Sequence, residues 1–122
     1  MPKGSEQLTN ARKEEIINAC AKLYTTMNFK DITLKQISLE TTFTRTSIYN
    51  YFQTKEEIFL ALFQREYDLW TTDIRQIFEK YEVMTVDEFA SALAHTLEKR
   101  ECLLKLLSMN HYDMESRSRL DN

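Results

Sequence analysis

A chain of 122 residues suits one domain, or a small two-part unit, able to bury a single core. Sixteen Lys and Arg against nineteen Asp and Glu leave a net charge of −3, so the average charge does not advertise a polyanion partner. With only one glycine, Gly4, and one proline, Pro2, the sequence excludes hairpin-rich β folds and every glycine-rich phosphate cradle, which makes an all-α chain the expectation.

Other classes fall on the same reading. Uncharged, mostly apolar stretches such as residues 89–97 are far short of the roughly 20 residues a membrane helix needs. The first seven residues hold no apolar signal core. Cys20 and Cys102 form no Cys-x-x-Cys and no disulfide framework, which fits a reducing cytoplasm. His95 and His111 belong to no His-Glu-x-x-His pattern. His95 and Cys102, seven apart on what reads as one helix, share a face, but two ligands do not make a metal site. The expectation is therefore no metal, no cofactor and no enzyme.

Along the chain, residues 1–8 read as a flexible arm. Residues 10–27 carry Ile16, Cys20, Leu23, Tyr24 and Met27 on one face of an amphipathic helix. Asn28 breaks it, and Phe29 and Ile32 supply apolar contacts in the connection. Thr33 and Gln36 form a capping box, with Ile32 and Ile37 as a hydrophobic staple, and open a short second helix. Thr44 is the next N-cap, with Phe43 and Ile48 as a second staple. The helix it opens runs from Arg45 to about Tyr51 and turns Ile48 and Phe52 inward. Thr54-Lys55-Glu56-Glu57 is another capping box, starting a long helix to about Glu82 with its acidic pair where the helix dipole favours it. Thr85-Val86-Asp87-Glu88 is a further box, with Met84 and Phe89 as staple. It opens a helix carrying Leu93, Leu97, Leu104 and Leu107. A last helix is expected from near Asn110.

Charge is unevenly placed along this series. Residues 1–55 hold eight basic and five acidic residues, a balance of +3, whereas residues 56–122 hold eight and fourteen, a balance of −6. A basic head on an acidic remainder is what a polyanion-binding module looks like.

Residues 33–52 then read as helix, short turn, helix within three packed helices, a unit that lays its second helix in a DNA major groove. If Ile48 and Phe52 point inward, Arg45, Thr46, Ser47, Tyr49 and Asn50 face outward. Arg45 suits bidentate reading of guanine, and Asn50 suits adenine or a phosphate. The hydroxyls of Thr44 and Ser47, with Tyr49 and Tyr51, suit phosphate contacts. Lys55 adds a cation beside backbone amides that themselves attract anions.

The run Thr44-Arg45-Thr46-Ser47-Ile48-Tyr49-Asn50-Tyr51-Phe52-Gln53-Thr54-Lys55-Glu56-Glu57-Ile58 resembles the hallmark of TetR/AcrR-type transcriptional regulators, and residues 12–63 are similar to their N-terminal DNA-binding domain. The resemblance implies DNA contacts at Lys35, Arg45, Ser47, Tyr49, Asn50, Tyr51 and Lys55, with Phe52 as the buried anchor. It implies an all-α protein: a helix-turn-helix DNA-binding domain over residues 9–54, then a long linking helix and part of a helical ligand-binding and dimerisation domain over residues 55–122. It further implies a palindromic double-stranded DNA operator, a homodimer in the full-length form, and a small-molecule effector enclosed near Leu93, Leu97 and His111. Members of the family normally run well beyond 122 residues and dimerise through two final helices, before which this chain stops.

Two departures stand out. The family places glycine where this chain has Thr42, and often a second where it has Thr46. Thr42 then either takes φ > 0 at a cost or sits in a different turn. Thr46 sets a methyl and a hydroxyl toward the groove, which alters base preference. Beyond Phe63, the aromatic and Met residues Phe78, Tyr81, Met84, Phe89, Met109 and Tyr112 read as core rather than pocket. The alternative to a DNA-binding regulator is a helical protein-interaction module that keeps the scaffold without binding an operator.

Overall fold

The computed structural model describes residues 3–109, with side chains over residues 5–108. Among these every regular element is helical, in the order α1 (Lys3–Tyr24), a single 3₁₀ turn (Phe29–Asp31), α2 (Leu34–Leu39), α3 (Arg45–Ile48), α4 (Lys55–Lys80), α5 (Val86–Glu98) and α6 (Glu101–Met109). The fold class is therefore all-α, as composition required. No helix among the described residues is long and apolar enough to cross a membrane. The expected helix from Asn110 and the residue His111 lie outside the described residues.

The chain divides into two compact units, one ending at Leu62 and one beginning at Phe63. That division falls inside α4, eight residues later than the 54/55 boundary the sequence suggests. The reason is packing: Phe59 meets Tyr24 edge-on at 5.2 Å and Phe29 edge-on at 4.9 Å, so the opening turns of α4 complete the first core. Ile16, Cys20, Tyr24, Ile32, Ile37, Ile48 and Ile58 are fully buried, and Phe52 is buried as the anchor expected of it. Each such side chain contributes about 1.5–3 kcal/mol by leaving water.

Two ends of α1 differ from expectation. The helix begins at Lys3 rather than after an eight-residue arm, because nothing between Ser5 and Thr9 breaks it; the Thr9 hydroxyl donates back to the Ser5 carbonyl at 3.0 Å. It stops at Tyr24 rather than Met27, where the Thr25 hydroxyl donates to the Lys22 carbonyl at 2.7 Å and the last turn tightens.

The caps follow the sequence closely. Thr33 and Gln36 exchange both bonds of a capping box, as do Thr85 and Glu88. At α4 the box is displaced by one residue. Thr54 Oγ1 accepts from the Glu57 N–H at 3.2 Å, but the Glu57 carboxylate reaches past Thr54 to accept from the Gln53 N–H at 2.8 Å.

In the second unit, the single helix expected to carry Leu93 through Leu107 is two helices. It breaks at Lys99 and Arg100, although neither residue is a helix breaker. The break brings both cations to one carboxylate on α4: Arg100 Nε donates to Asp73 Oδ2 at 2.8 Å, and Lys99 Nζ stands 3.5 Å from Asp73 Oδ1. The Arg100 hydrogen bond holds the Asp73 carboxyl below its ordinary range against the opposing pull of burial. A second tie joins α4 to α5, where Trp70 Nε1 donates to Thr96 Oγ1 at 3.0 Å and Thr96 donates on to the Leu93 carbonyl. His95 and Cys102 consequently lie on different helices, not on one face. Burial, with Glu66 nearby, pushes the Cys102 thiol up to about 11, so it is protonated at neutral pH.

Candidate nucleic-acid interface

α2 and α3 are short helices, each with a buried side; α2 also carries Leu39 exposed to solvent. Ile37 and Ser38 bury the inner side of α2, leaving Lys35 exposed in its first turn. Ile48 is the buried residue of α3, and Thr44, Arg45 and Thr46 are exposed on its opposite side. This is the inward–outward division expected from the sequence.

The N-terminus of α3 is closed by Thr44, whose Oγ1 accepts from the Ser47 N–H at 3.2 Å. The hydroxyls of Thr44 and Ser47 also share a hydrogen bond at 3.0 Å. Whichever of the two donates, the other keeps its hydrogen, so the pair retains one hydroxyl donor for an outside acceptor. Ser47 is half-buried by this arrangement.

α3 ends at Ile48, three residues before the expected Tyr51. Tyr49, Asn50 and Tyr51 instead close i→i+3 bonds to Thr46, Ser47 and Ile48 at 3.2, 3.1 and 2.8 Å. The cause is local. Gln53 Nε2 donates to the Tyr49 carbonyl at 2.8 Å, taking the place of a continuing backbone N–H. Tyr49 and Asn50 are exposed on this tightened segment, and Tyr51 is half-buried. Tyr51 lies against Phe43 with ring centroids 6.1 Å apart.

The turn between α2 and α3 resolves the alternatives left open at Thr42. No non-glycine residue among those described takes positive φ, so Thr42 bears no left-handed cost. A different turn is built. Thr41 Oγ1 donates to the Ser38 carbonyl at 2.8 Å and accepts from the Phe43 N–H at 3.1 Å. Thr42 donates both its N–H and its hydroxyl to Glu15 Oε2 on α1, at 2.7 and 3.0 Å. One turn earlier on α1, the Arg12 guanidinium stands 5.4 Å over the Phe43 ring. Sequence reasoning missed Glu15 and Arg12 in these roles, because no local signal pairs residues so far apart in the chain.

Lys55 is half-buried. Its ammonium donates to the Phe29 carbonyl at 2.6 Å and lies 4.2 Å over the Phe29 ring, tying the start of α4 to the connection after α1. Lys22, by contrast, is spent on an exposed ion pair with Glu40 at the end of α2, at 2.8 Å, whose hydrogen bond raises the lysine above its ordinary range.

The expected effector residues Leu93 and Leu97 are half-buried on α5. Two clefts lie where α4 ends and α5 begins. One of about 320 Å³ is lined by Phe78, Tyr81, Glu82, Met84 and Phe89, and one of about 590 Å³ by Tyr81, Met84, Asp87, Glu88, Ser91, Ala92 and His95. Leu93 and Leu97 line neither. Phe78 and Tyr81, read from the sequence as core, are 61% and 44% exposed. Phe78 pairs with Phe89 at 5.6 Å between ring centroids.

Comparison with known proteins bears on this arrangement from both ends. The family model described as bacterial regulatory proteins of the tetR family matches residues 16–62, the stretch that holds the capped α2–α3 pair and its core. The model described as the tetracyclin repressor-like C-terminal domain matches residues 64–122. No match was found among curated proteins or among solved structures. With the N-terminal and C-terminal models of one family matched in order over residues 16–62 and 64–122, the chain belongs to the tetR family of DNA-binding transcriptional regulators.

Proposed function

We propose that this regulator is a repressor that binds a palindromic duplex operator as a homodimer and is released by a small-molecule effector held in its second unit. The observation that carries the reading is the outward set Arg45, Thr46, Tyr49 and Asn50, standing on a capped helix whose other side is the buried Ile48. In this reading α3 enters the major groove. Arg45 donates bidentately to a guanine, Thr46 meets a neighbouring base edge, and Asn50 contacts an adenine or the adjoining phosphate. Thr44, Ser47, Tyr49, Tyr51 and Lys35 hold phosphates and so set the register. Lys55 adds a cation at the start of α4, beside backbone amides that themselves attract anions. Two such heads enter successive grooves when they stand about 34–36 Å apart, and an effector acts by favouring a spacing that misses this.

The test is selection of duplexes from a random pool, followed by mobility shifts over a salt series. Affinity should fall steeply and linearly on logarithmic axes, because each phosphate neutralised releases counterions. Retention of no duplex even at about 50 mM salt defeats the reading and favours a protein-interaction module.

A further inference from the structure

The geometry points to Glu15 as the residue that positions the recognition helix, by holding the α2–α3 turn in shape without a glycine. This inference rests on the DNA-binding reading above. Its starting point is the double acceptance by Glu15 Oε2 from the Thr42 N–H and hydroxyl, 2.7 and 3.0 Å. A turn of this tightness is commonly made with a left-handed residue, usually glycine. Here no described non-glycine residue is left-handed, and the Thr42 N–H finds its acceptor on another helix. The α1 face holds the neighbouring residue as well, through Arg12 over the Phe43 ring, and Phe43 in turn lies tilted by 30° against Tyr51. Two side chains one helical turn apart on α1 thus grip two consecutive residues of the turn that leads into α3.

Glu15 touches no nucleic acid in this scheme; it acts through Thr42. That makes the sign of its effect diagnostic. A carboxylate on a DNA-binding head opposes a polyanion, so on charge alone both Glu15→Gln and Glu15→Ala tighten binding. Positioning gives a different result. The glutamine carbonyl still accepts from Thr42, whereas alanine leaves the Thr42 N–H without this acceptor and the turn without its anchor.

The experiment measures affinity for a duplex selected by the wild-type chain, alongside thermal unfolding and hydrogen exchange at the Thr42 amide. Glu15→Gln should bind within about twofold of wild type or more tightly, and Glu15→Ala about tenfold more weakly, since both hydrogen bonds from Thr42 lose their charged acceptor. The Thr42 amide should exchange faster in Glu15→Ala only. The slope of affinity against salt should stay as in wild type, since no phosphate contact is lost. If Glu15→Ala does not fold cooperatively, Thr42→Ala and Glu15→Asp weaken the same contact and should each cost about threefold. Wild-type or tighter binding by Glu15→Ala, or by both milder variants, overturns the inference alone. A wild-type chain that retains no duplex overturns the DNA reading and this inference with it.

Discussion

Lys55 sits where its charge would send it to a phosphate, yet its ammonium is held by the Phe29 carbonyl and ring. That contact joins two segments 26 residues apart, so its loss should be felt in stability before it is felt on DNA. Lys55→Met should destabilise the first unit by about 1–2 kcal/mol, from one charge-assisted hydrogen bond and a cation–π contact. Urea unfolding measures this, and an unchanged midpoint would return Lys55 to a purely electrostatic role. Arg45 is the converse case: it is exposed, on the first turn of α3. Arg45→Ala should leave stability within about 0.5 kcal/mol. It should cost about 1–3 kcal/mol of binding and relax the preference at one base pair. Equal loss on every duplex would instead mark Arg45 as a phosphate contact.

At the level of elements, the break between α5 and α6 is an electrostatic feature as much as a conformational one. Asp73 on α4 receives Arg100 and Lys99 from the residues between the two helices. Its carboxyl is held below the ordinary range by the Arg100 hydrogen bond, so the folded state takes up a proton less readily than the unfolded chain does. The sign follows: this stabilisation is complete above the ordinary aspartate pKa of about 4 and fades as pH falls through the lower folded value. Asp73→Asn should therefore cost about 1–2 kcal/mol at neutral pH, and the gap from wild type should narrow under acid. Parallel stability curves from pH 7 downward would show that the pairing contributes nothing through charge.

Across the whole molecule, the charge balance separates a basic head from an acidic remainder, +3 over residues 1–55 and −6 over residues 56–122. Part of the head's positive charge is already engaged, Lys22 with Glu40 and Lys55 with Phe29, which leaves Lys35 and Arg45 on the exposed side of the helix-turn-helix. Removing Lys35 should weaken binding to all duplexes alike and reduce the salt slope by about 1. A mobility-shift salt series on Lys35→Ala reads both quantities at once, and a slope identical to wild type would take Lys35 off the phosphate backbone.

What the sequence determined by itself was much of what depends on neighbours a few positions apart, though not where α1 and α3 end or how the box before α4 closes. The caps at Thr33, Thr44 and Thr85, the inward Ile48 and Phe52, and the all-α class follow from i to i+3 and i to i+4 relations and from the want of glycine and proline. The tertiary structure alone decided the rest. Glu15 holding Thr42, Lys55 on Phe29 and Asp73 drawing Arg100 out of a continuous helix join residues 26 or 27 positions apart. Charge and hydrogen-bond partners at that distance leave no periodic trace in a chain, because it is the packing of helices, and not the spacing of residues, that brings them within three ångströms.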